Sequence, residues 1–269
     1  MKSGKINIQD KTAVICSMEN NMLHKLKYIP SKINSMDVTE IGSTLVVDSN
    51  LPSDTFNTAF GGLINNQVTL DVMQYYKNNK QPMAWWIGPS SQVDTTNNHL
   101  ETAGFIHDEF DVGMVCDITL VENQYKKADN LEIKKCVMAQ DFKDFGEVLA
   151  SIFDPVDEQV KIFYQKISLI PAHKRKGLVL FVGYEDNKPV ATSGLFLTDV
   201  AGIYDISTKP KMQGKGYGSA MFYTALIEAK NQGFNVGVLQ ASPDGLNIYK
   251  RFGYKEICEF NVWSNQQSL

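Results

Sequence analysis

Thr208-Lys-Pro-Lys-Met-Gln-Gly-Lys-Gly-Tyr-Gly-Ser-Ala220 is a glycine-rich segment between an apolar run, 201–206, and a long helical pattern. Gly214, Gly216 and Gly218 lack a Cβ, so the backbone can approach a ligand closely and adopt unusual dihedral angles. A helix that begins here directs its free N–H groups and the positive end of its dipole into the loop. Lys211 and Lys215 add positive charge. The segment therefore predicts a phosphate-binding loop.

Three phosphate-binding patterns can be compared with this loop. The Walker pattern requires Ser or Thr after Gly-Lys, but Gly216 follows Lys215. The dinucleotide pattern Gly-x-Gly-x-x-Gly requires a glycine where the chain has Ser219. The pattern Gln/Arg-x-x-Gly-x-Gly/Ala fits, as Gln213-x-x-Gly216-x-Gly218. It resembles the pyrophosphate loop of the GNAT superfamily, the acyl-CoA-dependent N-acyltransferases.

A second motif supports this resemblance. Residues 242–254 are similar to the last helix of the GNAT fold, with Tyr249 four residues before the pair Gly253-Tyr254. The family often carries an asparagine seven residues before this tyrosine, and Ser242 stands there instead. Whether Ser242 makes the contact to CoA that the asparagine would make is therefore undecided.

The composition predicts a soluble, cytoplasmic protein. The chain has 269 residues, 43% of them hydrophobic, which is enough for two packed domains. A net charge of −4 and a pI of about 5.6 argue against nucleic acid or an anionic membrane as a partner. The sequence contains neither an apolar signal core nor a membrane-spanning apolar run. Four widely separated cysteines predict reduced thiols, and no metal site is expected.

Hydrophobic periodicity and turn residues predict helices and strands in both halves of the chain. In the first half, we expect helices at 11–28, 69–79 and 95–103, and strands at 40–47, 56–64, 83–87 and 114–121. In the second half, we expect strands at 131–137, 178–184, 189–197, 202–208, 236–240 and 255–263, and helices at 141–151, from 157, at 216–232 and at 245–252.

The predicted elements indicate a repeat. The polar segment 122–130 is predicted to be a linker between residues 1–126 and residues 127–269. The element order of the second half, βααβββαβαβ, is the order that the GNAT fold implies. Residues 76–105 repeat the motif order of residues 229–254. We therefore expect an α/β fold of two GNAT-like domains in tandem, each with a mixed, mostly antiparallel sheet flanked by helices.

The first copy lacks both functional motifs. Residues 64–69, Ile-Asn-Asn-Gln-Val-Thr, stand in place of the glycine loop, and Leu100 stands where the second copy has Tyr249. We therefore expect that only the second copy binds acetyl-CoA, its co-substrate, and that the first copy is a degenerate domain.

The resemblance also implies how acetyl-CoA is held. Backbone N–H groups of the central strand, around Ile206, Ser207 and Thr208, would hold the pantetheine and the thioester carbonyl. The loop, the first helical turn and one further position would complete the binding site: Gln213, Gly214, Lys215, Gly216, Tyr217, Gly218, Ser219 and Ser242.

Acyl transfer to an amine requires removal of a proton from the amine, whose ordinary pKa is about 10.4, and protonation of the departing thiolate. Asp205 on the central strand is the candidate base, but strand alternation could instead turn Tyr204 toward the amine. Further candidates are Asp157, Glu158 and Asp199. Tyr249 is the candidate proton donor, with a core tyrosine as the alternative.

Three functions are open at this point. The first is acetyl transfer to a primary amine of a small molecule or peptide in a direct ternary complex. The second is aminoacyl or longer-chain acyl transfer, although the intact loop and the acidic pI favour CoA over aminoacyl-tRNA. The third is non-catalytic acyl-CoA binding, which Tyr249 argues against. The sequence does not identify the acceptor or the oligomeric state.

Overall fold

The computed structural model describes residues 6–122, 128, 130–243 and 245–266, so most of the predicted linker lies outside the described residues. The helices in these ranges are α1 (Lys11–Tyr28), α2 (Asn66–Asn79), α3 (Thr96–Thr102), α4 (Ala139–Ala150), α5 (Glu158–Ser168), α6 (Tyr217–Asn231) and α7 (Leu246–Lys250). The strands are β1 (Asp37–Ile41), β2 (Thr44–Asp48), β3 (Thr58–Phe60), β4 (Ala84–Ile87), β5 (Ile106–Asp117), β6 (Glu132–Lys135), β7 (Leu178–Glu185), β8 (Lys188–Leu197), β9 (Ala201–Thr208), β10 (Val236–Ala241) and β11 (Lys255–Ser264).

The chain divides into two compact units, and each unit contains segments from both halves of the sequence. Unit 1 consists of Met1–Asn21, Met114–Leu239 and Gly245–Lys255. Unit 2 consists of Met22–Gly113, Gln240–Asp244 and Glu256–Leu269. These units are defined by contacts, whereas the boundary between residues 126 and 127 rests on the polar segment 122–130 and stays a prediction.

In unit 2, the strand order is β1-β2-β3-β4-β11, with β5 beyond β11. The pairs β1–β2 and β2–β3 are antiparallel, and β3–β4 is parallel. Trp85 and Trp263 are fully buried cross-strand partners on β4 and β11, so Trp85 belongs to the core of the unit. The prediction of one strand at 40–47 is wrong. Gly42, with φ of +62°, turns the chain between β1 and β2.

In unit 1, the strand order is β6-β7-β8-β9-β10, with β5 beyond β10. The pairs β7–β8 and β8–β9 are antiparallel, and β9–β10 is parallel, which is the same succession as in β1 to β4. Helix α4 buries Phe142, Phe145, Val148 and Leu149, as its helical periodicity predicts. Each unit therefore contains a mixed sheet with helices, and the fold-class prediction is confirmed.

The last strand of each sequence copy is exchanged between the sheets. Strand β11, from the second copy, pairs with β4 in unit 2, where Val262 is opposite Trp86. Strand β5, which precedes the predicted boundary, contributes its last residues to unit 1, and the N–H of the residue that follows it, Ile118, donates to the carbonyl of Asn235 over 2.9 Å. Strand β11 therefore lies in unit 2, although it comes after the boundary predicted between residues 126 and 127.

The first part of α1, up to Asn21, belongs to unit 1. The side chain of Asn21 is fully buried, and its Oδ1 accepts a hydrogen bond from the hydroxyl of Tyr204 over 2.7 Å. A Cβ at Gly202 would lie 2.0 Å from this oxygen, so only glycine leaves room for it. Nearby, Ser17 donates to Asp199 over 2.8 Å. The Nδ2 of Asn21 donates to the carbonyls of Phe196 and Val200 and to the hydroxyl of Thr198.

Two further questions from the sequence concern membrane-spanning helices and the state of the cysteines. None of the helices in the described ranges combines the length and the apolar character needed to cross a membrane. The four cysteines carry free thiols, as predicted. Burial raises the pKa of Cys116 to about 12, so this thiol stays protonated at neutral pH.

Candidate active site

The central strand, β9, contains a bulge at the position of the predicted base. Thr192 on β8 is opposite Ser207, and Gly194 is opposite Tyr204, so Ser193 alone faces both Asp205 and Ile206. Asp205 has φ of +55°, a left-handed conformation that is uncommon for aspartate. Bulges interrupt the regular hydrogen-bond ladder and redirect side chains. The backbone of residues 205 and 206 therefore leaves the regular ladder.

The pairing between β9 and β10 is confined to the beginning of each strand. Gly237 is opposite Ala201, and Val238 is opposite Gly202. Among the described residues of β9, those after Gly202 have no partner on β10. This edge contains Ile206, Ser207 and Thr208, the predicted backbone contacts, and its amide groups can therefore pair with an extended ligand.

The glycine loop leads directly into α6. Gly216 is the N-cap residue and, as a glycine, supplies no side-chain cap to the N–H groups of Tyr217, Gly218 and Ser219 in the first turn. The helix continues for 15 residues, which gives it a full dipole. This terminus can therefore bind an anion.

The three glycines of the loop differ in whether their backbone conformation requires glycine. Gly214 and Gly216 have φ of +79° and +82°, the left-handed region that favours glycine. A Cβ at either position would meet no atom within 4 Å, so open space adjoins the loop and the residues fit a bound pyrophosphate. At Gly218, a Cβ would lie 3.5 Å from the hydroxyl of Thr208, an ordinary contact. Conformation therefore requires glycine at 214 and 216 only.

Lys215 is paired with a carboxylate, which corrects the expectation that it simply adds positive charge. Its Nζ lies 3.1 and 3.2 Å from the two oxygens of Glu185 at the end of β7. The hydroxyl of Tyr217 donates to the same carboxylate, and these bonds, first from Tyr217 and then from Lys215, lower the pKa of Glu185. The bond to Glu185 raises the pKa of Tyr217 to about 12. Glu185 thus compensates the charge of Lys215.

Arg251, which the sequence did not indicate, lies near the first turn of α6. Its Nη2 donates to the hydroxyl of Ser219 over 3.3 Å. The side chain is exposed and follows α7 directly. A guanidinium in this position carries positive charge beside the uncapped N–H groups, and guanidinium groups bind phosphate well.

A cavity of about 530 Å³ adjoins the segment before the loop. It is lined by Lys209, Pro210, Lys211 and Met212, and by residues of the turn between β7 and β8. Lys209 also forms an ion pair with Glu147 of α4 over 2.6 Å. Ser242, the remaining predicted contact, is exposed in the segment after β10, which belongs to unit 2.

Tyr249 lies on the short helix α7. Its ring is half-buried, and its centroid lies 4.9 Å from the ring of Phe222 on α6. The ring of Tyr254 is 6.5 Å away. Tyr249 is therefore anchored on α6 through Phe222, while part of its side chain reaches solvent.

Asp205 is held by a tyrosine of α5. The hydroxyl of Tyr164 donates to Oδ2 of Asp205 over 2.9 Å. The hydroxyl of the neighbouring Tyr204 points instead to Asn21 of α1. The bulge and the left-handed backbone of Asp205 therefore replace the simple alternation that the sequence left undecided.

The three other candidate bases have structural contacts. Asp157 is the N-cap of α5 and accepts the N–H of Gln159 over 2.8 Å. Glu158 forms an exposed ion pair with Lys161. Asp199 accepts the hydroxyl of Ser17. Of the four carboxylates considered, Asp205 is the one that lies in the bulge of β9.

The corresponding helix of the first copy begins differently. The side chain of Asn65 caps α2 and accepts the N–H of Val68 over 3.0 Å. Leu100, at the position of Tyr249, is fully buried in the core of unit 2. A side chain thus occupies the helix terminus that is uncapped in the second copy.

The comparisons with known proteins agree with this geometry. Residues 136–254 match the model of the acetyltransferase (GNAT) family. A GCN5-related N-acetyltransferase from Kribbella flavida has a TM-score of 0.68 and 11% identity, and covers 92% of this chain and 95% of that chain. A tandem GNAT protein from the clavulanic acid biosynthesis pathway has a TM-score of 0.56 and 8% identity, and covers 93% and 94%, respectively.

A third structure, a GCN5-related N-acetyltransferase from Sphaerobacter thermophilus, has a TM-score of 0.53 and 12% identity. It covers 82% of this chain and 79% of that chain. At such identities, these structures establish the fold alone. A comparison with curated proteins gave no match.

Proposed function

We propose that the protein transfers an acetyl group from acetyl-CoA to a primary amine, since residues 136–254 match the model of the acetyltransferase (GNAT) family. The observation that carries the proposal is the uncapped N-terminus of α6 at Gly216, next to the bulged edge of β9. The helix terminus suits a pyrophosphate, and the strand edge suits an extended amide chain such as pantetheine. The acceptor is a small molecule or a peptide with a primary amine.

In the proposed complex, residues 213–219 bind the pyrophosphate through backbone N–H groups. The backbone of Ile206, Ser207 and Thr208 holds the pantetheine and polarises the thioester carbonyl. Donors fixed before the reaction need not reorganise as charge develops on the carbonyl oxygen. Arg251 adds a cation at the first turn of α6.

The proposed reaction is a direct transfer in a ternary complex. The ammonium of the acceptor loses a proton to the carboxylate of Asp205, directly or through water. The amine nitrogen then forms a bond to the acetyl carbon, and the bond from that carbon to sulfur breaks. Tyr249 donates a hydrogen bond or a proton to the departing thiolate. The second proton of the amine nitrogen leaves through water as the amide forms and restores the Tyr249 hydroxyl or protonates the thiolate, and Asp205 returns its proton to solvent.

Two other candidate functions can be distinguished from acetyl transfer by experiment. Aminoacyl or longer-chain acyl transfer would use the same loop and the same two side chains. A non-catalytic acyl-CoA-binding protein would need neither Asp205 nor Tyr249 for its activity. Native mass spectrometry of the purified chain, which identifies a retained acyl group by mass, separates acetyl-CoA from longer acyl donors.

We expect isothermal titration of the full chain with acetyl-CoA to give one binding site. The uncapped terminus of α6 supplies this site, whereas Asn65 closes the corresponding terminus of α2. A stoichiometry of two would contradict the proposal that the first copy is degenerate. No binding of CoA or acetyl-CoA would contradict the proposed function.

Replacing the cation at the first turn should weaken binding measurably. We expect Arg251→Gln to raise the dissociation constant of CoA roughly tenfold, the lower end of the loss for a hydrogen bond to a charged group. Lys250→Gln removes an equal charge from the preceding residue and is the matched control. If the two variants bind CoA equally well, Arg251 does not contact a phosphate. Titration at two salt concentrations measures how much of each effect is screened.

A further inference from the structure

The bond between Tyr164 and Asp205 joins α5 to the bulge of β9 over 41 positions of sequence. The side chain of Tyr164 is 4% exposed, and its ring centroid lies 4.5 Å from that of Phe145 on α4. The ring of Phe163 contacts it edge-on. Packing thus fixes the ring, and the hydroxyl has a defined direction toward Oδ2 of Asp205.

The surroundings of Asp205 also restrict its carboxylate. The hydroxyl of Thr192 donates to the backbone carbonyl of Asp205 over 2.9 Å, across the bulge. A Cβ at Gly194 would lie 3.2 Å from Oδ2 of Asp205, closer than an ordinary contact. Glycine at this position therefore leaves room for the carboxylate. The backbone and the side chain of Asp205 are each held by a separate hydroxyl.

We infer that Tyr164 is a positioning residue, which orients the Asp205 carboxylate toward the acceptor amine. This inference rests on the proposed function, because it assigns Tyr164 a role in proton acceptance by Asp205. An oriented carboxylate does not have to be immobilised when the amine arrives, so the rate of transfer rises. Tyr164 itself need not touch the substrate.

The ionisable neighbours allow this role. Burial, followed by the charge of Asp205, raises the pKa of Tyr164 well above its ordinary value, so the phenol remains a donor at neutral pH. Tyr204 on β9 interacts electrostatically with Asp205, and Cys136, directly after β6, interacts with Tyr164. Burial is the main cause that raises the pKa of both Tyr204 and Cys136. Both are uncharged at neutral pH, as is Tyr164.

The chain contains a matched control. On β7, the hydroxyl of Tyr184 donates to Oδ2 of Asp144 over 2.8 Å, and this side chain is also buried. Asp144 lies on α4 and outside the bulge. Tyr184→Phe and Tyr164→Phe therefore remove the same kind of hydrogen bond at two places in unit 1, and only one of these places is the proposed site.

The experiment measures free-CoA release from acetyl-CoA by the full chain, with the best amine from a panel of alkylamines, polyamines and lysine peptides. We expect Tyr164→Phe to lower kcat roughly tenfold or more, as for the loss of a hydrogen bond to a charged group. The KM for acetyl-CoA should stay within about twofold, because the phosphate loop is unchanged. Tyr184→Phe should keep kcat within about twofold.

The double variant tests whether Tyr164 acts through Asp205. We expect Asp205→Asn to lower kcat by roughly 10²–10³, and Tyr164→Phe to cause little further loss in that background. Equal kcat for Tyr164→Phe and Tyr184→Phe, or independent losses in the double variant, would overturn the inference while the proposed function stands. If Tyr164→Phe does not fold, full kcat in Asp205→Asn overturns it instead. Absence of CoA release by the wild-type chain with every amine overturns the proposed function, and the inference with it.

Discussion

Gly216→Val is expected to raise the dissociation constant of CoA by at least about 100-fold, because several backbone bonds to phosphate are lost together. Gly216 has φ of +82°, where a β-branched residue is strained by roughly 1–3 kcal/mol. The loop would relax away from this conformation, and the valine side chain would enter the open space beside it. Isothermal titration measures the affinity, and thermal unfolding without ligand measures the strain.

Gly233→Val is the matched control for this variant. Gly233 follows the same helix at its other end, has φ of +88°, and has no atom within 4 Å of an added Cβ. It should therefore lose a similar free energy of unfolding and keep its affinity for CoA. Unchanged affinity in Gly216→Val, or equal losses of affinity in both variants, would exclude the loop as the phosphate site.

Tyr249→Phe is expected to lower kcat by roughly 10²–10³, the usual size of one lost proton donor or catalytic hydrogen bond. The ring stays packed on Phe222, so CoA affinity should change by no more than a few-fold. We expect the loss in kcat, because the hydroxyl acts only when charge develops on sulfur in the transition state. Single-turnover rates measure this step without product release.

Tyr223→Phe is the matched control for Tyr249→Phe. The ring of Tyr223 stacks on Phe252, and its hydroxyl donates to the carbonyl of Glu122 over 3.2 Å, so it shares the aromatic cluster of α6 and α7. This variant should keep its kcat within about twofold. If Tyr249→Phe also transfers acetyl groups at the wild-type single-turnover rate, Tyr249 only packs against α6, and solvent protonates the thiolate.

Most elements follow from local sequence patterns, and the exceptions have physical causes. The hairpin of β1 and β2 was missed because residues 39–47 contain mostly strand-forming side chains, which hide the turn at Gly42. Helix α2 begins three residues before its apolar periodicity because Asn65 caps it. The exchange of β5 and β11 was not predictable, since patterns along one strand do not specify its partner.

The candidate site likewise contains residues that the sequence indicated and residues that it did not. The glycine loop could be recognised because its signal lies within six consecutive residues, from Gln213 to Gly218. Tyr164, Arg251 and Glu185 were missed because each is connected to the candidate site by a hydrogen bond to a residue on another element. The sequence periodicity of an apolar helical stripe is the same whether or not the hydroxyl of a tyrosine within it donates to an aspartate.

The packing of α1 in unit 1 has a consequence for synthesis of the chain on the ribosome. Ser17 and Asn21 emerge early, yet their partners Asp199 and Tyr204 come 182 and 183 residues later. At about 5–20 residues per second, the amino-terminal segment waits roughly 10–35 s before it can dock. Until then these two hydrogen bonds cannot form, so the docking of this segment is a late step in folding during synthesis.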